Sequence, residues 1–377
     1  MSKAIIKTEE KKVEYLELIY DLIFVYVIGR NNSLLHQITN GFVDSEVFIA
    51  YILCTLTIIQ IWNFSTYYIN MHGRNSLRDH VFLFINMFLL YFIGEGTRTH
   101  WENYLLEYYV AWGLILINTG AQYFIELRNR KDDPQLYRQT KHMGIVLLIE
   151  AFFVFISYPI YLATGYTIAF IPILFGIAAT MLHGKKSKIL IVDFTHLSER
   201  AMLYVVFTFG EMIIAVAGYF EGGLTASTLY FASMSFLIVV GLFLSYGTVY
   251  DHLIDREKQN TGLVYMMLHI FLIFALSLIT TSLEFMHNSD IDLLPKMLML
   301  ILSFLMYYVS LFSTLRYSKS KCRPSVRFIL SLLLIAVSFV VLMLLFRNNM
   351  YINIALTVLY VFGIFFMLYR FGKKQSV

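Results

Sequence analysis

Residues 229–250 read LYFASMSFLIVVGLFLSYGTVY, and none of these 22 positions is Asp, Glu, Lys or Arg. Residues 328–346, FILSLLLIAVSFVVLMLLF, form a second such run of 19 positions. An α-helix needs about 20 predominantly apolar residues to cross the hydrocarbon core of a bilayer. Each stretch therefore predicts a transmembrane helix, and together they favour a helical membrane protein.

The composition of the whole chain agrees with that prediction. Hydrophobic residues make up 58% of the 377 positions and charged residues only 14%, whereas soluble domains contain about 25% charged residues. A soluble globular enzyme and a disordered chain are therefore excluded. A secreted disulfide scaffold is excluded as well, because Cys54 lies in an apolar run and Cys322 in a basic loop, and thiols in such different settings seldom meet.

Apolar runs that end at charged positions or at Gly-, Pro- and Asn-rich positions predict twelve membrane-spanning helices. The expected ranges are 15–35, 47–69, 81–95, 106–127, 142–163, 167–182, 200–220, 228–250, 263–283, 293–316, 327–346 and 351–369. Residues 1–14 mix Lys with Glu and lack the short apolar core of a cleavable signal peptide. We therefore expect the first apolar segment to be retained.

The distribution of Lys and Arg provides an independent check on twelve spans. With the N-terminus in the cytoplasm, 25 of the 29 basic residues fall in cytoplasmic segments, and Arg98, Lys296 and Arg347 fall on the other side. Lys and Arg are concentrated in the cytoplasmic loops of membrane proteins. A missed or additional helix would place many of these basic residues on the wrong side of the membrane. The pattern therefore supports twelve spans and predicts that both termini are cytoplasmic.

Short matches that recur in the same order predict an internal duplication. The tripeptide FGI at 175–177 recurs at 362–364, and GKK follows each copy. Asn86 in the third span aligns with His269 in the ninth; a polar pair at these positions is typical of groups that hold helices together. Because six spans is an even number, two such repeats would be parallel, with a substrate path at their interface. The expected repeats are residues 1–190 and 191–377.

Two carboxylates occur in the first predicted span. Glu17 and Asp21 are four positions apart, so they lie on one face of the helix. Adjacent carboxylates repel each other, and a proton or a cation between them would relieve the repulsion. The alternative is that both lie at the inner interface and contact water or an arginine.

The seventh predicted span opens with a second polar motif. His196, Glu199 and Arg200 are three and four positions apart, so they can form a local polar cluster or a helix-start ion pair. Further metal ligands at a recognisable spacing are lacking, so we predict no metal site. We also expect no cofactor, because the sequence contains no phosphate-binding glycine loop, no zinc helix motif and no serine nucleophile elbow.

Two further carboxylates lie deep in predicted spans, where an ionisable side chain is a candidate functional residue. Glu211 is near the middle of the seventh span and has no neighbouring charge in sequence, so it needs a partner from another helix, a water-filled cavity or a bound proton. Glu150 occupies the fifth span. Arg30 either acts as the counter-ion of one of these carboxylates or extends to the outer surface.

The two polar motifs resemble those of the bacterial low temperature requirement protein A (LtrA) family. That family has an E-L-x-x-D-L-x-F-V element in its first helix, matched here by residues 17–25, and an H-x-x-E-R element leading to G-E, matched by residues 196–200 and 210–211. The residues Ile19-Tyr20 and Met212 depart from the family pattern. The resemblance implies a multi-pass protein of the bacterial plasma membrane, linked by the family name to growth in the cold.

These observations favour a transporter or channel for a proton, a cation or a small solute. Its pathway residues would be those of the motifs and the deep spans: Glu17, Asp21, Arg30, Glu150, His196, Glu199, Arg200 and Glu211. One alternative is an intramembrane enzyme acting on lipid or cell-envelope precursors, with His196 and Glu199 as acid and base. Another is a non-catalytic membrane stress-adaptation protein. We expect membrane lipids as partners, with anionic lipids facing the basic loops, and no nucleic acid.

Overall fold

The computed structural model describes residues 11–96, 104–186, 192–221, 223–257 and 260–375. Within these ranges the chain forms twelve α-helices, as the apolar runs predict. In chain order, α1 to α12 are Tyr15–Asn32, Ser45–His72, Leu77–Gly96, Leu105–Glu126, Pro134–Thr164, Phe170–Lys186, Phe194–Ala217, Ala226–Thr248, Leu263–His287, Leu293–Ser313, Val326–Leu345 and Met350–Gln375. Each helix overlaps one predicted span, so the all-α fold class is confirmed.

The largest difference in a helix boundary is at the start of α5. The helix begins at Pro134 rather than at residue 142. Asp133 caps it, because its side chain accepts hydrogen bonds from the backbone N–H groups of Gln135 and Leu136, both at 3.0 Å. Proline at the first helical position is compatible with this cap. The first turns of α5 are polar, so a search for apolar runs does not detect them.

Nine of the helices in the described part of the chain are long and apolar enough to cross a membrane. The short helix α6 has an apolar part of only Phe170–Leu182. In α1, Glu17, Asp21 and Arg30 interrupt the apolar character. The protein is therefore a multi-pass helical membrane protein in which the first helix is unusually polar. The two-repeat layout stays a prediction, as does the cytoplasmic position of the termini.

The described residues form two compact units. Unit 1 consists of the described residues within Met1–Leu34, Ile49–Leu203 and Glu257–Met266. Unit 2 consists of those within Leu35–Phe48, Tyr204–Arg256 and Met267–Val377. Inside unit 1, α3 packs against α1 and α4, and α5 packs against α4 and α6. Inside unit 2, α12 packs against α8 and α11. The helices α2, α7 and α9 each contribute residues to both units.

A short hairpin in unit 2 connects α1 to α2. Strand β1 (Ile38–Thr39) pairs antiparallel with β2 (Phe42–Val43). Asn40 and Gly41 form the two-residue turn with φ values of 52° and 81°, as a type I′ hairpin turn requires. Gly41 also accepts a hydrogen bond from the backbone N–H of Asp292 at 2.7 Å. This bond ties the hairpin to the start of α10.

Candidate functional site

The strongest polar constellation in unit 1 is built around Arg200, which is completely buried near the start of α7. Its Nε atom donates to Asp21 Oδ2 at 3.1 Å, and its two terminal nitrogens donate to Asp21 Oδ1 and to Glu17 Oε2. Charge-assisted bidentate pairs are the stronger class of hydrogen bonds. One guanidinium therefore joins both carboxylates of α1 to α7. We call Glu17, Asp21, Trp62, His196 and Arg200 the Arg200 cluster.

The helical period of α1 places its two carboxylates in this cluster. Glu17 and Asp21 lie one turn apart, and both are buried. Glu17 Oε1 also accepts a weak hydrogen bond from the backbone N–H of Glu14 at 3.4 Å. A negative charge in the first turn is favourable, because the free N–H groups there carry partial positive charge. Glu17 therefore stabilises the start of α1 and also pairs with Arg200.

Trp62 on α2 completes the coordination of Asp21. The indole Nε1–H donates to Asp21 Oδ1 at 2.8 Å, and the Trp62 side chain is fully buried. Asp21 therefore receives three hydrogen bonds, two from Arg200 and one from Trp62. Hydrogen bonds to the charged form stabilise a buried carboxylate. Asp21 is held as a structural anion between three helices.

His196 lies between Asn70 and Glu17. Asn70 Oδ1 accepts from the backbone N–H of Asp193 at 3.0 Å, so its amide nitrogen is directed to the Asp193 carbonyl oxygen at 2.8 Å and to His196 Nδ1 at 3.0 Å. His196 Nδ1 is then an acceptor, which assigns the ring proton to Nε2. That nitrogen lies 3.3 Å from Glu17 Oε2. This edge of the imidazole therefore faces the Glu17 carboxylate.

Lys11 joins the segment before α1 to this assembly. Its ammonium donates to the carbonyl oxygens of Ile69 and Gly73 at the end of α2, the second at 2.9 Å. A cation is favourable there, because the last carbonyl groups of a helix carry partial negative charge. Burial lowers the pKa of Lys11, and the carboxylate of Glu17 opposes that shift. The backbone N–H of Lys11 also donates to Asp193 Oδ2 at 3.2 Å.

The predicted trio of His196, Glu199 and Arg200 does not form one local cluster. His196 and Arg200 both contact Glu17, as the one-turn spacing allows. Glu199 is half-buried, and no ion pair or hydrogen bond of its side chain is found in the described part of the chain. At 100° per residue, Glu199 lies off the face that carries Arg200. The partners of the motif therefore come from α1 and α2.

Arg30 does not serve as the counter-ion of the buried carboxylates of α1. Its Nη2 lies 3.2 Å from Glu95 Oε1, and its Nε donates to the hydroxyl of Tyr26 at 3.2 Å. The Arg30 and Glu95 side chains are each 37% exposed. Arg30 was predicted either to neutralise a deep carboxylate or to extend its side chain toward the outer surface. The half-exposed pair with Glu95 favours the second alternative.

Glu150 and Glu211 differ in their surroundings. Glu211 lies on the part of α7 that belongs to unit 2 and is half-buried. No ion pair or hydrogen bond of its carboxylate occurs among the described residues, and Glu284 is near enough to interact with it electrostatically. Glu150 on α5 is fully buried in unit 1, and neither of its carboxylate oxygens has a hydrogen-bond partner in the described ranges.

Three residues of α2 that were not predicted as site residues contact these groups. Trp62 belongs to the Arg200 cluster and Asn70 binds His196 of that cluster. Gln60 lies beside Glu150 against Gly176, where a Cβ atom would overlap both side chains. A signal was present, because Gln60, Asn63 and Asn70 are carboxamides in or at the end of one predicted span. Interhelical polar side chains of this kind hold membrane helices together or line a pathway.

Asn86 and His269 behave as predicted for residues that join helices. Asn86 on α3 donates to Tyr20 on α1 and to Thr119 on α4, each at 3.3 Å. In unit 2, His269 Nε2 on α9 lies 3.1 Å from the hydroxyl of Tyr246 on α8. Both polar side chains are fully buried. They stabilise helix packing within their own units.

The comparisons with known proteins give one match. The family model described as "Bacterial low temperature requirement A protein (LtrA)" matches residues 12–362 of the 377-residue chain. No curated protein and no solved structure matches. The matched range contains the complete Arg200 cluster as well as Glu150 and Glu211. Since the family model covers nearly the whole chain, this multi-pass protein belongs to the bacterial low temperature requirement A family.

Proposed function

We propose that the protein transports a proton, another cation or a small solute across the bacterial plasma membrane, with both termini in the cytoplasm. The observation that carries the proposal is the polar interior face of α2. This face consists of Thr55, Asn63, Thr66 and Asn70, which are all buried in unit 1. At 100° per residue they fall within about 80° of one another, so they form one stripe along the helix.

Unsatisfied polar atoms occur along this α2 polar face. Thr55 Oγ1, Asn63 Oδ1 and Thr66 Oγ1 are buried and have no hydrogen-bond partner among the described residues. Leaving such an atom unsatisfied costs about 1–3 kcal/mol. Polar groups at membrane depth are tolerated where they line a cavity or a pathway. A transported species or water that passes along α2 would satisfy them.

One end of the α2 polar face supports the same proposal. There Asn70 binds His196 of the Arg200 cluster. The Arg200 cluster would then close the cytoplasmic end of the pathway.

The geometry favours transport over an intramembrane enzyme. The enzyme alternative requires His196 and Glu199 to reach a lipid-linked substrate together. His196 is fully buried, with its Nδ1 atom bound by Asn70 and its Nε2 atom directed at Glu17. Glu199 lies outside that arrangement. A buried imidazole with both nitrogens facing protein groups is suited to positioning α7 rather than to proton transfer with an external substrate.

Flux measurements in proteoliposomes test the proposal. Proton, potassium and sodium gradients are imposed in turn on liposomes that contain wild-type protein, Thr66→Val or Thr164→Val, with empty liposomes as the baseline. We expect flux in the wild type, reduced flux in Thr66→Val, and wild-type flux in Thr164→Val. The last variant is the matched control, because Thr164 is exposed at the end of α5. Equal flux in both variants would remove the α2 polar face from the pathway.

Glu211 is proposed as a second pathway residue, in unit 2. Its half-buried carboxylate lies toward the C-terminal end of α7 and has no ion pair in the described ranges, which suits reversible binding of a proton or cation. The same flux assay with Glu211→Gln tests this role. Loss of flux in a folded Glu211→Gln protein is the expected result. Wild-type flux in that variant would exclude Glu211 as a transport residue.

A further inference from the structure

The environment of Glu150 is unlike that of the other buried acids of unit 1. Its side chain is completely buried on α5, and both carboxylate oxygens have no hydrogen-bond partner among the described residues. Glu17 and Asp21, in contrast, share the guanidinium of Arg200. An isolated ionised carboxylate in an apolar interior is very costly, and such groups are neutral or bind a cation.

Charged groups on the neighbouring helices do not compensate Glu150. On α4, Glu107 is exposed near the helix start and Glu126 pairs with Arg78 at the opposite end. The charged residues of α5 itself, Arg138 and Lys141, lie two or more turns away along the helix. No ion pair or hydrogen bond of the Glu150 carboxylate occurs among the described residues. A proton or another ligand must therefore neutralise the carboxylate.

The space around Glu150 is too small, and its ligands too few, for a metal ion. The carboxylate lies against Gly176 on α6, where even a Cβ atom would overlap it. The neighbouring polar group is the amide of Gln60, whose Nε2 atom lies beside the same Gly176 position and donates to the Ile173 carbonyl at 3.1 Å. Hard cations take about six or more oxygen ligands. A proton needs neither that space nor those ligands.

We propose that Glu150 is the binding site for the transported or coupling proton, a role that rests on the transport function proposed above. In the state described here, Glu150 is a carboxylic acid beside the amide of Gln60. Release converts the acid to a carboxylate and delivers one proton to water when unit 1 opens the site. Gly176 allows the close approach of α5 and α6 that keeps the site dry.

This assignment separates the roles of the buried acids. Glu17 and Asp21 belong to the more recognisable sequence motif, but both are neutralised by hydrogen bonds and ion pairs with Arg200. Paired carboxylates of that kind hold helices together and have no need of a proton. Among the described acids that unit 1 buries completely, Glu150 is the one without a counter-charge, and it is therefore the proton carrier.

Infrared spectroscopy tests the protonation of Glu150 without requiring transport. Spectra of the full-length protein in liposomes are recorded at neutral pH in H2O and D2O for the wild type, Glu150→Gln and Glu107→Gln. We expect a carboxylic-acid C=O band that shifts in D2O, is absent from Glu150→Gln and persists in Glu107→Gln. Gln60→Leu should shift the position of this band without removing it, because it deletes the polar amide beside the carboxyl group. A wild-type spectrum without a Glu150-dependent band would overturn the proposal.

Proton flux into the same liposomes then tests whether the bound proton is carried. We expect Glu150→Gln to reduce proton flux to the level of empty liposomes and Glu107→Gln to leave it unchanged. If the wild type carries no protons while the band is present, the transport function fails and Glu150 is only a buried neutral acid. If the wild type carries protons and Glu150→Gln does so equally well, transport stands and the role of Glu150 is refuted.

Discussion

Asp21 on α1 accepts hydrogen bonds from Arg200 on α7 through both of its carboxylate oxygens, with Arg200 Nε 3.1 Å from Oδ2. Both side chains are completely buried. Bidentate pairing fixes the relative orientation of the two groups as well as their distance. The start of α7 is therefore held against α1 within unit 1, and the second carboxylate of the motif, Glu17, shares the same guanidinium.

Neutralising Asp21 should destabilise the protein strongly. The change removes a carboxylate that accepts two charge-assisted hydrogen bonds from Arg200 and leaves Glu17 as the remaining anionic partner of that guanidinium. Breaking a buried ion pair costs about 3–5 kcal/mol. We expect Asp21→Asn to lower the thermal unfolding midpoint of the detergent-solubilised protein clearly. Arg30→Gln is the matched control, because its half-exposed pair with Glu95 belongs to a class that contributes about 0–1 kcal/mol. Equal shifts in the two variants would contradict the assignment of Asp21 and Arg200 as a buried pair.

Replacing both members of the pair should cost less than the sum of the single replacements. A double-mutant cycle with Asp21→Asn and Arg200→Met isolates the interaction, which we expect to be about 0.5–3 kcal/mol in favour of the wild-type pair. The physical reason is that each single variant breaks the same Asp21–Arg200 contact, so the second replacement has no such contact left to break, whereas Glu17 loses its guanidinium equally in Arg200→Met and in the double variant. Unfolding midpoints of all four proteins in one detergent give the coupling. Strict additivity would show that the two residues act independently.

The pairing of His36 and Glu284 in unit 2 predicts a dependence of stability on pH. His36 Nε2 lies 3.2 Å from Glu284 Oε2, and this hydrogen bond raises the pKa of His36, although burial opposes the shift. Because the folded pKa is raised, the stabilisation is fully present below the unfolded value of about 6.5 and is lost as the pH rises through the folded pKa.

Unfolding midpoints of wild type and His36→Gln across this pH range provide the measurement. The wild type should exceed His36→Gln at acidic pH, and the difference should vanish at alkaline pH, where His36 is neutral in both the folded and unfolded states. Glu284→Gln should show the same loss of pH dependence. A difference between wild type and His36→Gln that grows with increasing pH would have the wrong sign and would contradict the pairing.

Gly41 in the hairpin turn should not tolerate a side chain. Its φ of 81° is unfavourable for other residues, and a Cβ atom there would overlap the carboxylate of Asp292. We expect Gly41→Ala to destabilise the protein by more than about 1 kcal/mol. Gly363→Ala in α12 is the control, because nothing lies within 4 Å of its Cβ position and alanine favours the helix by about 1 kcal/mol. Opposite shifts of the unfolding midpoint are the expected result.

The helices could be predicted closely because a chain in hydrocarbon must satisfy its backbone hydrogen bonds within each span. Apolar runs therefore mark helices directly, and α8 at Ala226–Thr248 matches its predicted range within two residues. The boundary that was missed, Pro134, lies where α5 extends as a polar helix beyond the apolar run. Hydropathy cannot detect such a polar extension. The Asp133-Pro134 pair, an N-cap residue followed by proline, does indicate the start of the helix.

The sequence by itself determined the twelve helices and the shared face of Glu17 and Asp21, since both follow from local periodicity and composition. Only the tertiary structure decided which charges meet. Arg200 rather than Arg30 neutralises the acids of α1, and Glu150 is left with no counter-charge in the described part of the chain. The physical reason is that the cost of a buried charge depends on the side chains that neighbouring helices bring to it. Those neighbours are set by helix packing between segments that are distant in sequence.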